Sequence, residues 1–285
     1  MPSTTEPAAP RGRAPDTDLA PDPLTERVRV TWTAGDFGRI AKTYERGAAE
    51  FIARLGLRPG EQVLDVACGT GNLALPAARA GALVTGIDIA PNLIEQAQAS
   101  AAEEGLPVAF EVGDAERLPY ADAGFATVVS MFGTMFAARP ERAAAELLRV
   151  TRPGGRIALA SWTPAGFVGE MLKTTVRFVP PPAGVPSPLL WGTEEAVRER
   201  LGRGTTSLAF ARRQITFEFP FGPADVVGYF ERWYGPTLRA FAALDATRQA
   251  DLRRELERLW TSRNEGGDGT TRVQSEYLEV IATVA

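Results

Sequence analysis

The stretch VLDVACGTGN, residues 63–72, carries a short apolar run containing one acid into a turn that holds two glycines and the chain's lone cysteine. RPGE (58–61) bounds the run on one side and the glycines bound it on the other, so it reads as a buried strand; LALPAARA (73–80) after it reads as a helix. The turn has the spacing Gly69-x-Gly71-x-x-Ala74, which brings backbone N–H groups close to a ligand at a helix start. Asp88 ends the next apolar run, where a carboxylate can accept both hydroxyls of a ribose. The same spacing also fits a tight turn that binds nothing.

Outward from this turn, apolar runs and helical patterns alternate. A helix over Tyr44–Leu55, with Ala48, Phe51, Ile52 and Leu55 on one face, precedes a strand at Gln62–Val66. A helix at Leu73–Ala80, which Pro76 should shorten or bend, is followed by a strand at Leu83–Ile89, a helix at Pro91–Glu104 and a strand at Val108–Val112. Then come a strand at Phe125–Ser130, a helix at Pro140–Val150 and a strand at Arg156–Ser161. Beyond Trp162 the pattern loosens. Helices are expected over 164–178, Glu194–Leu201 (capped by Thr193), 224–233 and 246–261, where Leu252, Leu256 and Leu259 share a face. Strands are expected at RRQITFEF (212–219) and SEYLEVIATV (275–284). This order predicts an α/β fold, a doubly wound, mostly parallel sheet of seven strands with a helical cap over its ligand edge. Residues 1–25, rich in Pro, Ala, Thr and charge, are expected to be a disordered tail. Residues 26–285 then form a single domain, with its core at 45–162 and the cap and final strands at 163–285.

Composition removes whole classes of chemistry. The chain of 285 residues has no histidine, which excludes imidazole bases, Ser/His/Asp and Cys/His arrangements and His-ligated metals. With 31 Lys plus Arg against 35 Asp plus Glu, the formal charge is −4, so nucleic acid is disfavoured as a partner. No run approaches the ~20 apolar residues of a membrane span. One cysteine cannot make an internal disulfide, which points to a soluble, cytoplasmic protein.

Two ligand classes use such a glycine turn: a dinucleotide, whose pyrophosphate sits on the helix N-terminus, and S-adenosyl-L-methionine, whose amino-acid end lies over the glycines. The surroundings discriminate. VLDVACGTGNLALPAA resembles the first motif of class I S-adenosylmethionine-dependent methyltransferases, an acid on the first strand followed by x-x-x-G-x-G. VTGIDIAPNLIEQAQ resembles the second motif, VGDAERLPYADAGFATVVSMFG the third and fourth, and ELLRVTRPGGRIALASW the turn and fifth strand, all in family order. The likeness is greatest to the ubiquinone and menaquinone biosynthesis methyltransferases. It implies a Rossmann-like fold and this cofactor.

The resemblance also implies roles. Asp65 and the backbone of Ala67, Cys68 and Gly69 would meet the methionine ammonium and carboxylate, with Thr70 and Gly71 completing the turn. Asp88 would bind ribose, Ile89 would pack on adenine, and Asp114 and the Ala115 N–H would take the adenine edge. Met131 would face the sulfonium region, and Arg39 could reach the methionine carboxylate. Cys68 reads as a small buried filler. Tyr44 is counted with the cofactor-binding residues: it or a cap carboxylate could take a proton, and it is equally a packing residue or a lid over the cofactor. Phe132 and Trp162 follow sheet strands on the cofactor side and are candidates for the acceptor pocket. No acid cluster follows the fourth strand in SMFGTMFAARPE, so no metal is expected. The Asn/Asp-Pro-Pro-aromatic motif of nucleobase amino methylation is missing there too. A small organic acceptor, such as a quinone-like or secondary-metabolite ring, is the expected substrate. Methylation of a protein or RNA, or a non-catalytic cofactor-binding regulator, are the alternatives. The oligomeric state is left open.

Overall fold

A computed structural model describes residues 22–285. Its strands are β1 (Gln62–Val66), β2 (Leu83–Asp88), β3 (Val108–Val112), β4 (Phe125–Met131), β5 (Thr151–Trp162), β6 (Thr205–Phe219) and β7 (Thr271–Val284). They form one seven-stranded sheet in the order β3-β2-β1-β4-β5-β7-β6. The pairs among β3, β2, β1, β4 and β5 are parallel, and β7 runs antiparallel to both β5 and β6. The expected doubly wound, mostly parallel architecture is therefore the observed one.

The helices form where apolar residues recur at helical spacing. Ala48, Phe51, Ile52 and Leu55 are all buried on the Glu45–Leu55 helix, which Gly56 ends in the left-handed region at φ +56°. Helices Pro91–Glu104 and Pro140–Val150 each start with a proline whose missing N–H would have no partner in the first turn. Pro76 sits third in the six-residue helix Ala74–Arg79, also within the first turn, and does not break it. All seven residues of β4 are buried, so the sheet centre is covered on both faces.

Several expectations shift. The tail was expected to run to Thr25; residues 1–21 lie outside the described residues, but Pro23–Thr33 is a helix capped by the Asp22 carboxylate. Helices also occupy Phe37–Ala41 and Gly235–Ala242. β5 starts at Thr151, because a bulge between Phe125 and Thr127 lets β4 pair with it. β6 and β7 exceed the expected strands because they pair along nearly their whole length, supplying partners that local sequence does not reveal. On the Ala246–Arg263 helix, Trp260 joins Leu252 and Leu256 in the core, and Leu259 is only half-buried.

At the sheet edge opposite the glycine turn, buried Glu61 accepts from Thr127 Oγ1 (2.5 Å), Arg156 Nη2 (2.9 Å) and the Arg58 N–H (3.1 Å). Burial pushes its carboxyl up, but these donors outweigh burial and hold it down at about 2. A depressed carboxyl stabilises the fold above its unfolded value near 4.5, and that contribution fades as pH falls towards 2. Glu61→Gln is expected to lower unfolding free energy at pH 7 by about 1–3 kcal/mol. In urea titrations the gap from wild type should narrow below pH 4; a gap constant with pH would contradict the assignment.

Candidate functional site

The chain runs β1, β2, β3 to one edge, then returns to place β4 on the other side of β1. That reversal opens a crevice at the strand ends, where open α/β sheets bind ligands. β1 and β4 pair in register there, Asp65 beside Val129. Each strand then turns through a left-handed residue that carries a Cβ, Ala67 at φ +56° and Phe132 at φ +59°. Such residues cost energy, and they concentrate where a site demands a particular backbone. A Cβ on Gly133 would lie 2.5 Å from Ala67 Cβ, so the two loops can approach only with glycine there. Gly69, at φ +54°, directs its open side towards the Phe37 ring, 3.8 Å from where its Cβ would be. Between them is a cavity of about 900 Å³, open mouth included.

Four acids line it, Asp65, Asp88, Asp114 and Glu116. Asp65 is 1% exposed and accepts from the Ala74 N–H at 3.0 Å, with no cation paired to it among the described residues. Burial pushes its carboxyl well above the usual range, and the nearby Asp88 charge adds to this, against the opposing Ala74 hydrogen bond. Asp88 accepts from the Gly69 N–H (2.8 Å) and the Ala90 N–H (2.9 Å), and burial raises it too. It therefore also fastens the glycine turn to β2. Asp114 accepts from the Glu116 N–H at 2.9 Å and from Thr25 Oγ1 at 3.3 Å. The Cys68 thiol is buried and pushed up by burial, as expected of a filler, though it lines the cavity.

Of the expected residues, Tyr44, Asp65, Ala67, Cys68, Gly69 and Thr70 meet in this cavity with Asp88, Ile89, Asp114, Ala115, Met131 and Phe132. Gly71 supports the turn from outside the cavity: its N–H donates to Cys68 O, and a Cβ would press on Leu75 and Phe110 at 3.3 Å. Arg39 is turned away. The short Phe37–Ala41 helix buries Gly38, Ile40 and Ala41, leaving Arg39 exposed, paired with Asp36 at 3.2 Å and lying over Trp233. Trp162 stacks on Phe132 at 3.6 Å between centroids and lines a smaller adjoining chamber. Burial raises the Tyr44 phenol, which keeps its proton and makes a poor base. Among the described residues, no group of three or more His, Cys, Asp or Glu could hold a metal ion. No described helix is long and apolar enough to cross a membrane.

Residues that the sequence reading did not assign to the site complete it. Thr25 and Val28 of the Pro23–Thr33 helix line the cavity, with Asn72, Glu116 and Phe136. The Asp-Pro start at 22–23 is the signal that could have revealed that helix. Several ties hold the N-terminal segment over the site. Asn72 Nδ2 donates to Ala41 O at 2.9 Å, Gln96 Nε2 donates to Asp36, and Arg139 joins Asp22 to Glu116. Backbone bridging of Gly35 with Tyr234 links this segment to the C-terminal cap.

An acid whose folded value is raised stabilises the fold while it is protonated, and that contribution is lost as pH rises through the folded value. Asp65→Asn keeps an acceptor for the Ala74 N–H and removes the buried charge. The unliganded variant is expected to melt at or above wild type at pH 7–8, with the advantage shrinking as pH falls towards the ordinary carboxylate value of 3.8. Scanning calorimetry across pH checks this; a variant clearly less stable at pH 8 would contradict it.

A family model described as a methyltransferase domain matches residues 63–155. An uncharacterized protein of Mycobacterium tuberculosis is 42% identical over 241 residues, covering 83% of this chain and 88% of that one. A demethylmenaquinone methyltransferase of Beutenbergia cavernae is 38% identical over 109 residues, which is 38% of this chain and 44% of that one. A solved Haemonchus contortus N-methyltransferase, in complex with phosphomonomethylethanolamine and S-adenosylhomocysteine, has the same fold. Its TM-score is 0.54 at 16% identity, over 84% of this chain and 53% of that one. With the seven-stranded sheet and the acid-glycine turn at its switch point, these likenesses show that the chain belongs to the class I S-adenosylmethionine-dependent methyltransferases.

Proposed function

We propose that the chain binds S-adenosyl-L-methionine and transfers its methyl group to a small, apolar organic acceptor, a quinone-like or secondary-metabolite ring. The observation that carries this reading is Asp65: a buried carboxylate, raised by burial, that faces the cavity with no cation of its own. A ligand ammonium would supply the missing charge. A dinucleotide would bring phosphate and no cation to the same acid, leaving its ionised form uncompensated. The donor set fits the cofactor elsewhere: a Cβ-free approach at Gly69, Asp88 for the ribose hydroxyls, and Asp114 with the Ala115 N–H for the adenine edge.

When bound, this cofactor supplies an electrophilic methyl group on a sulfonium, so the protein's task is mainly alignment. Positioning can contribute roughly 7–11 kcal/mol. In this reading the backbone around Ala67–Gly69 and Met131 fixes one reactant. The Phe132–Trp162 stack and the Tyr44 ring wall the other, and the N-terminal helix keeps water out. No imidazole is needed. The phenols and apolar walls next to the cofactor cavity favour a small molecule over a protein or RNA acceptor, which would need an open approach. The absence of a described membrane-crossing helix and the even charge balance are in keeping with that.

Calorimetric titration is expected to show S-adenosylhomocysteine binding and no NAD binding. Asp88→Asn should weaken the former by about one to two orders of magnitude through loss of a charged acceptor. Tight NAD binding would overturn the reading. An acceptor screen followed by product formation should find turnover that EDTA leaves intact. Removing residues 1–21 should preserve that turnover, and removing residues through Tyr44 should abolish it; activity surviving the longer deletion would contradict the lid role.

A further inference from the structure

Next to the cofactor cavity, and sharing Trp32, Phe37, Tyr44, Phe132 and Phe136 with it, is a second, narrower chamber of about 340 Å³, open mouth included. Among the described residues no charged side chain lines it. Its side-chain polar atoms are the phenols of Tyr44 and Tyr234 and the indole N–H groups of Trp32 and Trp162, all of them able to donate. Tyr44 and Tyr234 are 6% and 5% exposed, and neither hydroxyl has a hydrogen-bond partner among the described residues. Both oxygens keep some accessible surface, so they open into the chamber, where a ligand would meet them. The chain's other tyrosines have partners: Tyr277 Oη accepts from Arg54, Tyr229 donates to Arg39 O, and Tyr120 bonds Glu111. The two unpartnered phenols thus belong to one chamber and come from distant parts of the chain; their hydroxyls are close enough to interact electrostatically, and the Phe37 ring lies 6.5 and 6.2 Å from the two tyrosine rings.

We propose that Tyr44 and Tyr234 are a donor pair that grips a carbonyl or hydroxyl oxygen of an uncharged ring compound, and so position and select the methyl acceptor. The proposal rests on the methyl-transfer reading for the ligand's purpose, and on the two unpartnered hydroxyls for its chemistry. Burial holds both phenols in the protonated, donating form. A charged ligand would enter without a counter-charge, at a cost the chamber has nothing to offset. An apolar ligand with no acceptor atom would leave both phenols unsatisfied. Because one tyrosine rides on the N-terminal lid and the other follows the Pro223–Trp233 helix, an oxygen held by both would also fasten the lid to the cap.

The test uses the full chain saturated with S-adenosylhomocysteine and three probes of one shape: 1-tetralone, tetralin and protonated 1-aminotetralin. Binding is followed by tryptophan fluorescence. 1-Tetralone is expected to bind about tenfold tighter than tetralin, and the amine weakest of the three. In Tyr44→Phe/Tyr234→Phe the tetralone preference should fall to within about twofold, with each single variant between. S-Adenosylhomocysteine affinity should be unchanged in Tyr234→Phe, whose side chain lies outside the cofactor cavity, and cooperative melting should show that every variant folds. A tetralone preference surviving in the double variant would overturn the proposal, and so would the amine binding best. Failure of S-adenosylhomocysteine to bind wild type would instead sink the methyl-transfer reading, and the tetralone ratio would then be measured on the free protein with the same expectations.

Discussion

An unpaired carboxylate in the middle of an apolar sheet is the constraint around which this molecule is built. Asp65 is enclosed by β1, the glycine turn and the Ala74–Arg79 helix, and the one hydrogen bond it accepts, from the Ala74 N–H, does not offset its burial. Evolution could have placed an apolar residue there at a gain in stability. Keeping the acid makes sense when a cationic group arrives from outside, and the rest of the site follows from giving that group access. The glycines leave the turn open. Asp88 ties Gly69 in place, and the left-handed Ala67 and Phe132 turn two neighbouring loops out of the sheet at the switch point.

Over this rigid floor lies a cover assembled from distant parts of the chain. The N-terminal helix is held at Asp22, Thr25 and Gly35, and the 37–44 segment by Asn72, while the C-terminal cap contributes Tyr234 and Phe230 to the same chamber. The contacts are small and polar on the floor side and aromatic on the chamber side. Such a division suits a cover that must open: hydrogen bonds at its rim exchange with water at little net cost, while the aromatic faces favour closure over an apolar guest.

Much of this was legible in the sequence, for a physical reason. β1, β3 and the helices Pro91–Glu104 and Pro140–Val150 lie where periodicity places them, because buried parallel strands and amphipathic helices write their burial into local spacing. The acids and the glycine turn were legible because backbone approach restricts residue choice to a few types. What stayed hidden depends on partners far along the chain. Arg39 points outward because Asn72 holds the Phe37–Ala41 helix by Ala41, a tie no pattern within 37–41 encodes. β6 and β7 extend because each supplies the other's hydrogen bonds. The Pro23–Thr33 helix escaped because its surroundings read as a low-complexity tail, although Asp22 and Pro23 are a good cap. Trp260 displaced Leu259 from the core because the cap packs its ring against Phe167 and Phe230.

Counting protons tests the central claim most directly. If Asp65 is held protonated by burial and ionises when it meets a ligand ammonium, binding must release protons to the buffer. Titrating the protein with S-adenosylhomocysteine between pH 5 and 8, in buffer pairs of different ionisation enthalpy, measures that release. The account predicts net proton release on binding wherever Asp65 is protonated in the free protein, fading only as pH rises through the point at which it ionises there. Tight binding whose heat is independent of the buffer across the whole range would show that Asp65 does not change its charge, and would contradict it.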